Sequence, residues 1–175
     1  MESQPSNIMP SIRTFIAIPC PVEVQERLAK FGEEIAEVNP KARLISPFNY
    51  HITLAYIGET DTSRVNEIKD LLSFKWEPES FWEINRLGAF STHKIVYAAG
   101  PFSPAIEALG EKVRRLLRQN GFSFDDKPLR PHISLARKAS VAPEISFEPI
   151  YMSIEKPELF QSGIKINNKL TYIKL

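Results

Sequence analysis

Residues 51–54 read HITL and residues 132–135 read HISL, the same tetrapeptide but for Thr against Ser. The chain holds three histidines in 175 residues, and two of them sit in these repeats. At average residue frequencies a chance recurrence of this kind is on the order of one in a thousand. The repeat therefore calls for an explanation in structure or chemistry.

Both tetrapeptides lie in β-prone runs, and on a strand residues i and i+2 point to the same face. His51 and Thr53 then share one face over buried Ile52 and Leu54, and His132 and Ser134 repeat the arrangement over Ile133 and Leu135. Each strand presents one imidazole and one hydroxyl. In-line displacement at a phosphodiester needs a base on the attacking oxygen, an acid on the leaving oxygen and donors for the non-bridging oxygens. Two histidines supply the first two roles, since imidazole titrates near neutrality, and two hydroxyls supply the third. Exchanging the histidines leaves this reasoning unchanged, so it does not say which is the acid. A zinc site lacks a third ligand, because the motif neighbours are hydroxyls rather than carboxylates or thiolates.

Outward from the motifs, IRTFIAI at 12–18 suits a strand ended by Pro19 and Pro21. Val24, Leu28, Phe31, Ile35 and Val38 then recur at helical spacing, predicting one helix opened by Pro21 and closed by Asn39 and Pro40. ARLIS at 42–46 and YHITLAYI at 50–57 read as extended, with SPFN as loop between them. Val65, Ile68, Leu71 and Leu72 mark a second helix behind the capping candidates Asp61 and Thr62. SFWEINRLGAF and HKIVYAA form an expected hairpin turning near Ser91 and Thr92. Ser103 and Pro104 open a third helix with Ile106, Leu109, Val113, Leu116 and Leu117 as its buried stripe and Asn120 and Gly121 as its stop. After the second motif strand, ISFEPIYMSIE, ELFQSGIKI and LTYIKL are strand-like. Segregated strands with three amphipathic helices predict an α+β fold, mainly antiparallel. The order of elements suggests two related halves.

Length bounds the chain to one domain, or two small lobes sharing a core. Residues 1–10 are expected to form a flexible tail and residues 11–175 a single domain. With 22 basic and 21 acidic residues the net charge is +1, too balanced for wrapping long duplex nucleic acid. Cys20 is the only cysteine, which excludes an intramolecular disulfide or a cysteine-rich zinc site and suits a reducing cytoplasm. MESQPSNIMP lacks the apolar core of a signal peptide, and no run is long enough to span a bilayer, so no membrane association is expected. His93 sits beside a turn with no hydroxyl two residues on and is read as surface. The basic run Lys112, Arg114, Arg115, Arg118 reads as a solvated helix face rather than an RNA track.

The doubled HxT/SL motif resembles the 2H phosphoesterase superfamily. IRTFIAIPCPVEV, YHITLAYIGE and LRPHISLAR resemble the opening strand and the two motifs of its RNA 2',3'-cyclic phosphodiesterase (2'-5' RNA ligase-like) branch. The resemblance implies a two-lobed pseudo-twofold fold with helices flanking a central cleft, and hydrolysis of terminal 2',3'-cyclic phosphates to 2'-phosphates without a metal or other cofactor. It implies His132 as activator of water and His51 as donor to the 3' oxygen. It also places an aromatic and an arginine in the pocket, here Tyr56 and Arg137, each five residues after its histidine. Odd spacing puts these on the far face of a regular strand, so a bulge, twist or strand end near Ala55 and Ala136 must re-aim them. Tyr56 would then stack on a base, or serve as ordinary core, and Arg137 would neutralise phosphate.

The expected partners are RNA ends or small cyclic nucleotides, met by a monomeric cytoplasmic hydrolase. Ligation through a 2'-5' bond, or action on another cyclic or 2'-5'-linked nucleotide, uses the same chemistry. A non-catalytic RNA or nucleotide binder is the competing class, disfavoured because binding phosphate needs donors but no matched acid and base.

Overall fold

The computed structural model describes residues 10–77 and 80–175, so most of the expected N-terminal tail lies outside the described residues. The elements run β1 (Ser11–Pro19), α1 (Val22–Ala29), α2 (Gly32–Val38), β2 (Arg43–Leu44), β3 (His51–Asp61), α3 (Val65–Leu71), β4 (Phe81–Ile84), β5 (Arg86–Phe90), β6 (Ile95–Ala99), α4 (Pro104–Gln119), β7 (Ile133–Arg137), β8 (Ile150–Ser153), β9 (Glu158–Ile166) and β10 (Lys169–Lys174). Two four-stranded sheets are ordered β10-β9-β1-β3 and β2-β7-β6-β5, and β4 pairs with β8. Every pairing is antiparallel. The fold is α+β, as the segregated pattern predicts, and among the described residues no helix is long and apolar enough to cross a membrane.

The single helix expected after β1 is two. Lys30 and Phe31 separate α1 from α2, and α2 opens at Gly32, a poor helix former beside which Leu44 packs. The break changes the phase of the apolar stripe: Val24, Leu28 and Ile35 are buried, while Val38 is exposed. α4 follows its sequence closely, with the Ser103 hydroxyl accepting from the Ile106 amide, Pro104 at its first position, and Ile106, Leu109, Val113 and Leu117 in the core. The long arm expected at 80–90 divides at Asn85, β4 joining β8 and β5 joining β6. ISFEPIYMSIE becomes a strand only from Ile150, since Pro149 before it has no amide for a ladder.

Each motif strand lies antiparallel to the strand that leads into a helix of its own half, β3 to β1 before α1 and β7 to β6 before α4. Its other edge is covered by the chain that precedes the opposite motif. β2 pairs with β7, and the Ile45 amide donates to the Leu135 carbonyl at 2.8 Å. On β3, the Asp125 amide donates to the Tyr56 carbonyl at 2.9 Å and Arg114 Nε donates to the Leu54 carbonyl at 3.0 Å. This exchange of edges covers backbone groups that a sheet edge would leave unpaired. Ile52, Leu54, Ile133 and Leu135 all anchor the motif strands in the common core.

Candidate active site

Both motif strands carry a one-residue bulge at the motif leucine. Against β1, Thr53 pairs with Ala17 and Ala55 with Ile16, so Leu54 is the extra residue. Against β6, Ser134 pairs with Tyr97 and Ala136 with Val96, so Leu135 is extra. Leu54 and Ala55 are consequently both buried, as are Leu135 and Ala136. The alternation resumes one residue late, which puts Tyr56 on the face of His51 and Thr53, and Arg137 on the face of His132 and Ser134. The two odd-spaced residues are thus re-aimed by the same device at the same place. Tyr56 is 42% exposed, which removes the reading of it as core. A second register shift, at Ile57, is accompanied by Gly58 at φ +82°, a conformation that favours glycine.

The two histidines are held alike. His51 Nδ1 donates to the Asn49 carbonyl and His132 Nδ1 to the Arg130 carbonyl, each at 2.7 Å and each two residues back. A carbonyl only accepts, so Nδ1 carries the proton in both neutral rings and Nε2 is left for other work. Aromatic rings fix the planes: His51 lies 4.9 Å from Phe15 and edge-on to Tyr172 at 5.2 Å, and His132 lies edge-on to Phe90 at 5.0 Å and Tyr97 at 5.6 Å.

The halves then differ. The Thr53 hydroxyl donates to His51 Nε2 at 2.9 Å, whereas no such bond fixes Ser134 among the described residues. Arg137 Nη2 donates to the Tyr172 hydroxyl at 2.8 Å, so the second motif's cation is held over the first sheet, beside His51. Burial pushes the His51 imidazole down to about 4, with the His132 and Arg137 charges adding to the fall and the bond to Asn49 opposing it. Burial also lowers His132, against the opposing bond to Arg130.

A cavity of about 430 Å³ opens at the cleft, its wall including Thr53, Tyr56, Phe90, His93, Lys127 and His132. His51 adjoins it through its bond to Thr53. The structure therefore gathers Thr53, Tyr56 and His132 on one cavity, joins His51 to them through Thr53, and brings Arg137 to the same imidazole. Ser134 is half-buried and does not line the cavity.

Sequence reasoning missed four residues. Tyr172 lies in the last strand with no motif around it, and buried Asn49 sets it in place by accepting from the Tyr172 amide and donating to the Leu170 carbonyl. Phe90 and His93 come from the β5–β6 hairpin, and of the two only His93 is assigned a place by its sequence, at the surface. Arg114 belongs to the run read as solvated, yet it holds the Leu54 bulge carbonyl and, through Nη1, the Lys127 carbonyl at 2.8 Å. Its neighbours Lys112 and Arg118 lie over Phe74 and Phe124, so these parts of the run serve packing. Cys20 is buried, with its thiol pushed up to about 12 by that burial, and acts as a small core residue.

The family described as LigT like Phosphoesterase matches residues 18–97, which include the first motif. The RNA 2',3'-cyclic phosphodiesterase of Thermotoga maritima is 26% identical over 165 residues, covering 87% of this chain and 88% of the relative. That of Bacillus subtilis is 25% identical over 177 residues, covering 94% and 95%. The crystal structure of E. coli LigT complexed with 3'-AMP superposes with a TM-score of 0.76 at 21% identity, covering 95% of this chain and 96% of that one, and thus has the same fold. The chain is thus similar to the LigT-like phosphoesterases of the 2H superfamily, matching their family model at residues 18–97 and their relatives and fold over most of its length.

Proposed function

We propose that the cleft between β3 and β7 hydrolyses RNA 2',3'-cyclic phosphate ends to 2'-phosphates, by acid–base catalysis from His51 and His132 and without a metal. The observation that carries this reading is the matched pair of imidazoles, each with Nδ1 tied to the carbonyl two residues back, which makes Nε2 the proton-exchanging nitrogen of both rings. That of His51 accepts from Thr53 until it is protonated, and protonation frees the hydroxyl to donate to phosphate. His132 Nε2 takes a proton from water as its oxygen bonds to phosphorus. The P–O3' bond breaks, and His51 Nε2 delivers a proton to that oxygen. Thr53 and Ser134 donate to the non-bridging oxygens, and Arg137 offsets their charge. Tyr56 provides a platform for the base. The direction of opening rests on the family resemblance, because the motifs are nearly symmetric.

His51 with a pKa of about 4 is neutral in the free protein at pH 7, so it must take up a proton from solvent as the substrate binds. A phosphodiester anion placed beside the ring stabilises imidazolium and raises that pKa in the complex. The cleft is built within one chain, which supports a monomer, and the lone buried Cys20 suits the cytoplasm. The test is incubation with RNA bearing a 2',3'-cyclic end in excess chelator, followed by location of the product phosphate. A 2'-phosphate is expected. A 3'-phosphate would reverse the acid and base assignments, and no turnover until a divalent metal is added would refute the mechanism.

A further inference from the structure

A second groove of about 330 Å³ lies against the other face of the Phe90–His132 wall. Phe90, Leu129, Arg130 and His132 line both cavities, so the two are adjacent compartments rather than separate sites. Only the first contains Thr53 and Tyr56. The second is formed by Trp82, Arg86, Tyr97, Phe102 and the shared wall.

Its chemistry suits a nucleotide. Arg86 and Arg130 supply two cations, and among the described residues no carboxylate lines the groove. Phe90 and Tyr97 stack at 4.4 Å, and the Arg86 guanidinium stands 5.9 Å over the Tyr97 ring. Phe102 is 75% exposed at the rim, an aromatic ring that packing in the free protein does not explain. The rim is also fixed. Trp82 Nε1 donates to the Pro101 carbonyl at 3.0 Å, and Gly100 runs so close to the Glu83 carbonyl that a Cβ there would collide with it. A groove with exposed aromatic surface and cations is how single-stranded nucleic acid is bound without base pairing.

We propose that this groove is the subsite for the nucleotide next to the cyclic end, with the base against Phe102 and the linking phosphate at Arg130 and Arg86. The proposal rests on the reading of the His51–His132 cleft given above and adds a preference for RNA strands over cyclic mononucleotides. The terminal nucleoside occupies the Tyr56 cavity, and the strand crosses the Phe90–Arg130 wall into the second compartment.

The test compares kcat/KM of the full chain on a 2',3'-cyclic mononucleotide, a dinucleotide with a 2',3'-cyclic end, and a pentanucleotide with the same end. One occupied stacking subsite should favour the dinucleotide over the mononucleotide by about tenfold or more. The pentanucleotide should add little beyond the dinucleotide. Phe102→Ala and, separately, Arg86→Gln should each bring the dinucleotide-to-mononucleotide ratio towards one. Both side chains lie at the surface, and circular dichroism confirms that each variant folds. A wild-type ratio near one, or a ratio that survives both substitutions, overturns the subsite while leaving the cyclic phosphodiesterase reading intact. Failure to open any of the three substrates overturns that reading and the subsite with it.

Discussion

Arg137 and Tyr172 meet across the two sheets, guanidinium Nη2 donating to the phenol oxygen at 2.8 Å, with the Tyr172 ring edge-on to His51. A side chain from the second motif is thereby oriented by the last strand of the chain, over the histidine of the first motif. Arg137→Ala should lower kcat/KM by about 10²-fold, the scale of losing one preorganised charge-stabilising donor. Arg137→Lys should rescue little, because an ammonium lacks the planar fork. Tyr172→Phe should cost about tenfold in the wild-type background and almost nothing once Arg137 is Ala. Equal losses in both backgrounds would show that Tyr172 acts independently of the arginine. Steady-state kinetics on all four proteins of the cycle decide the matter.

His51→Ala and His132→Ala should each remove about 10²- to 10⁴-fold of kcat, as expected for loss of an acid or a base. The double variant should be scarcely worse than the singles, since the groups act as a unit. Losses that multiply would contradict concerted use of the pair.

The pH dependence follows from the lowered histidines. Burial disfavours the cation at both rings, bringing His51 to about 4 and His132 below its usual value. The active form carries one proton between them, so the bell of kcat/KM should have its maximum below pH 6.5. A bound phosphate anion raises the pKa values in the complex, and the alkaline limb of kcat should therefore lie at higher pH than that of kcat/KM. Coincident limbs would show that the substrate does not supply the stabilising charge.

Folding stability should respond to the same shift. With the folded pKa of His51 near 4 and the unfolded value near 6.5, the unfolded chain binds more protons between these limits. Stability is therefore full above about pH 6.5 and declines as pH falls towards 4. Thermal unfolding from pH 7 to pH 5 should show a falling Tm whose slope is smaller in His51→Asn. An unchanged slope would place the linkage on other groups.

Arg114 is a positioning residue, holding the Leu54 bulge and the Lys127 carbonyl. Arg114→Met should destabilise by about 1–3 kcal/mol through the unpaired acceptors it leaves. It should also raise KM more than it lowers kcat, because Tyr56 follows the bulge while the His51–Asn49 bond is untouched. A drop in kcat alone would contradict that placement. Denaturant titration and steady-state kinetics together test both effects.

The sequence by itself determined the elements whose information is local. The alternating pattern of HITL and HISL put imidazole and hydroxyl on one face, and Ser103, Pro104 and Asn120 marked the ends of α4, because strand alternation and helix capping act over a few residues. The resemblance carried by the motifs extended this to Tyr56 and Arg137, whose odd spacing already demanded a break in alternation. Tertiary structure alone decided where that break falls. The bulges at Leu54 and Leu135 exist only as register against β1 and β6, strands distant in the chain. Packing likewise split the first expected helix at Lys30 and Phe31, and partner choice divided the 80–90 arm at Asn85. Tyr172, Phe90, His93 and Arg114 reach the site through sheet order and loop placement, and nothing in their own neighbourhoods in sequence encodes those long-range contacts.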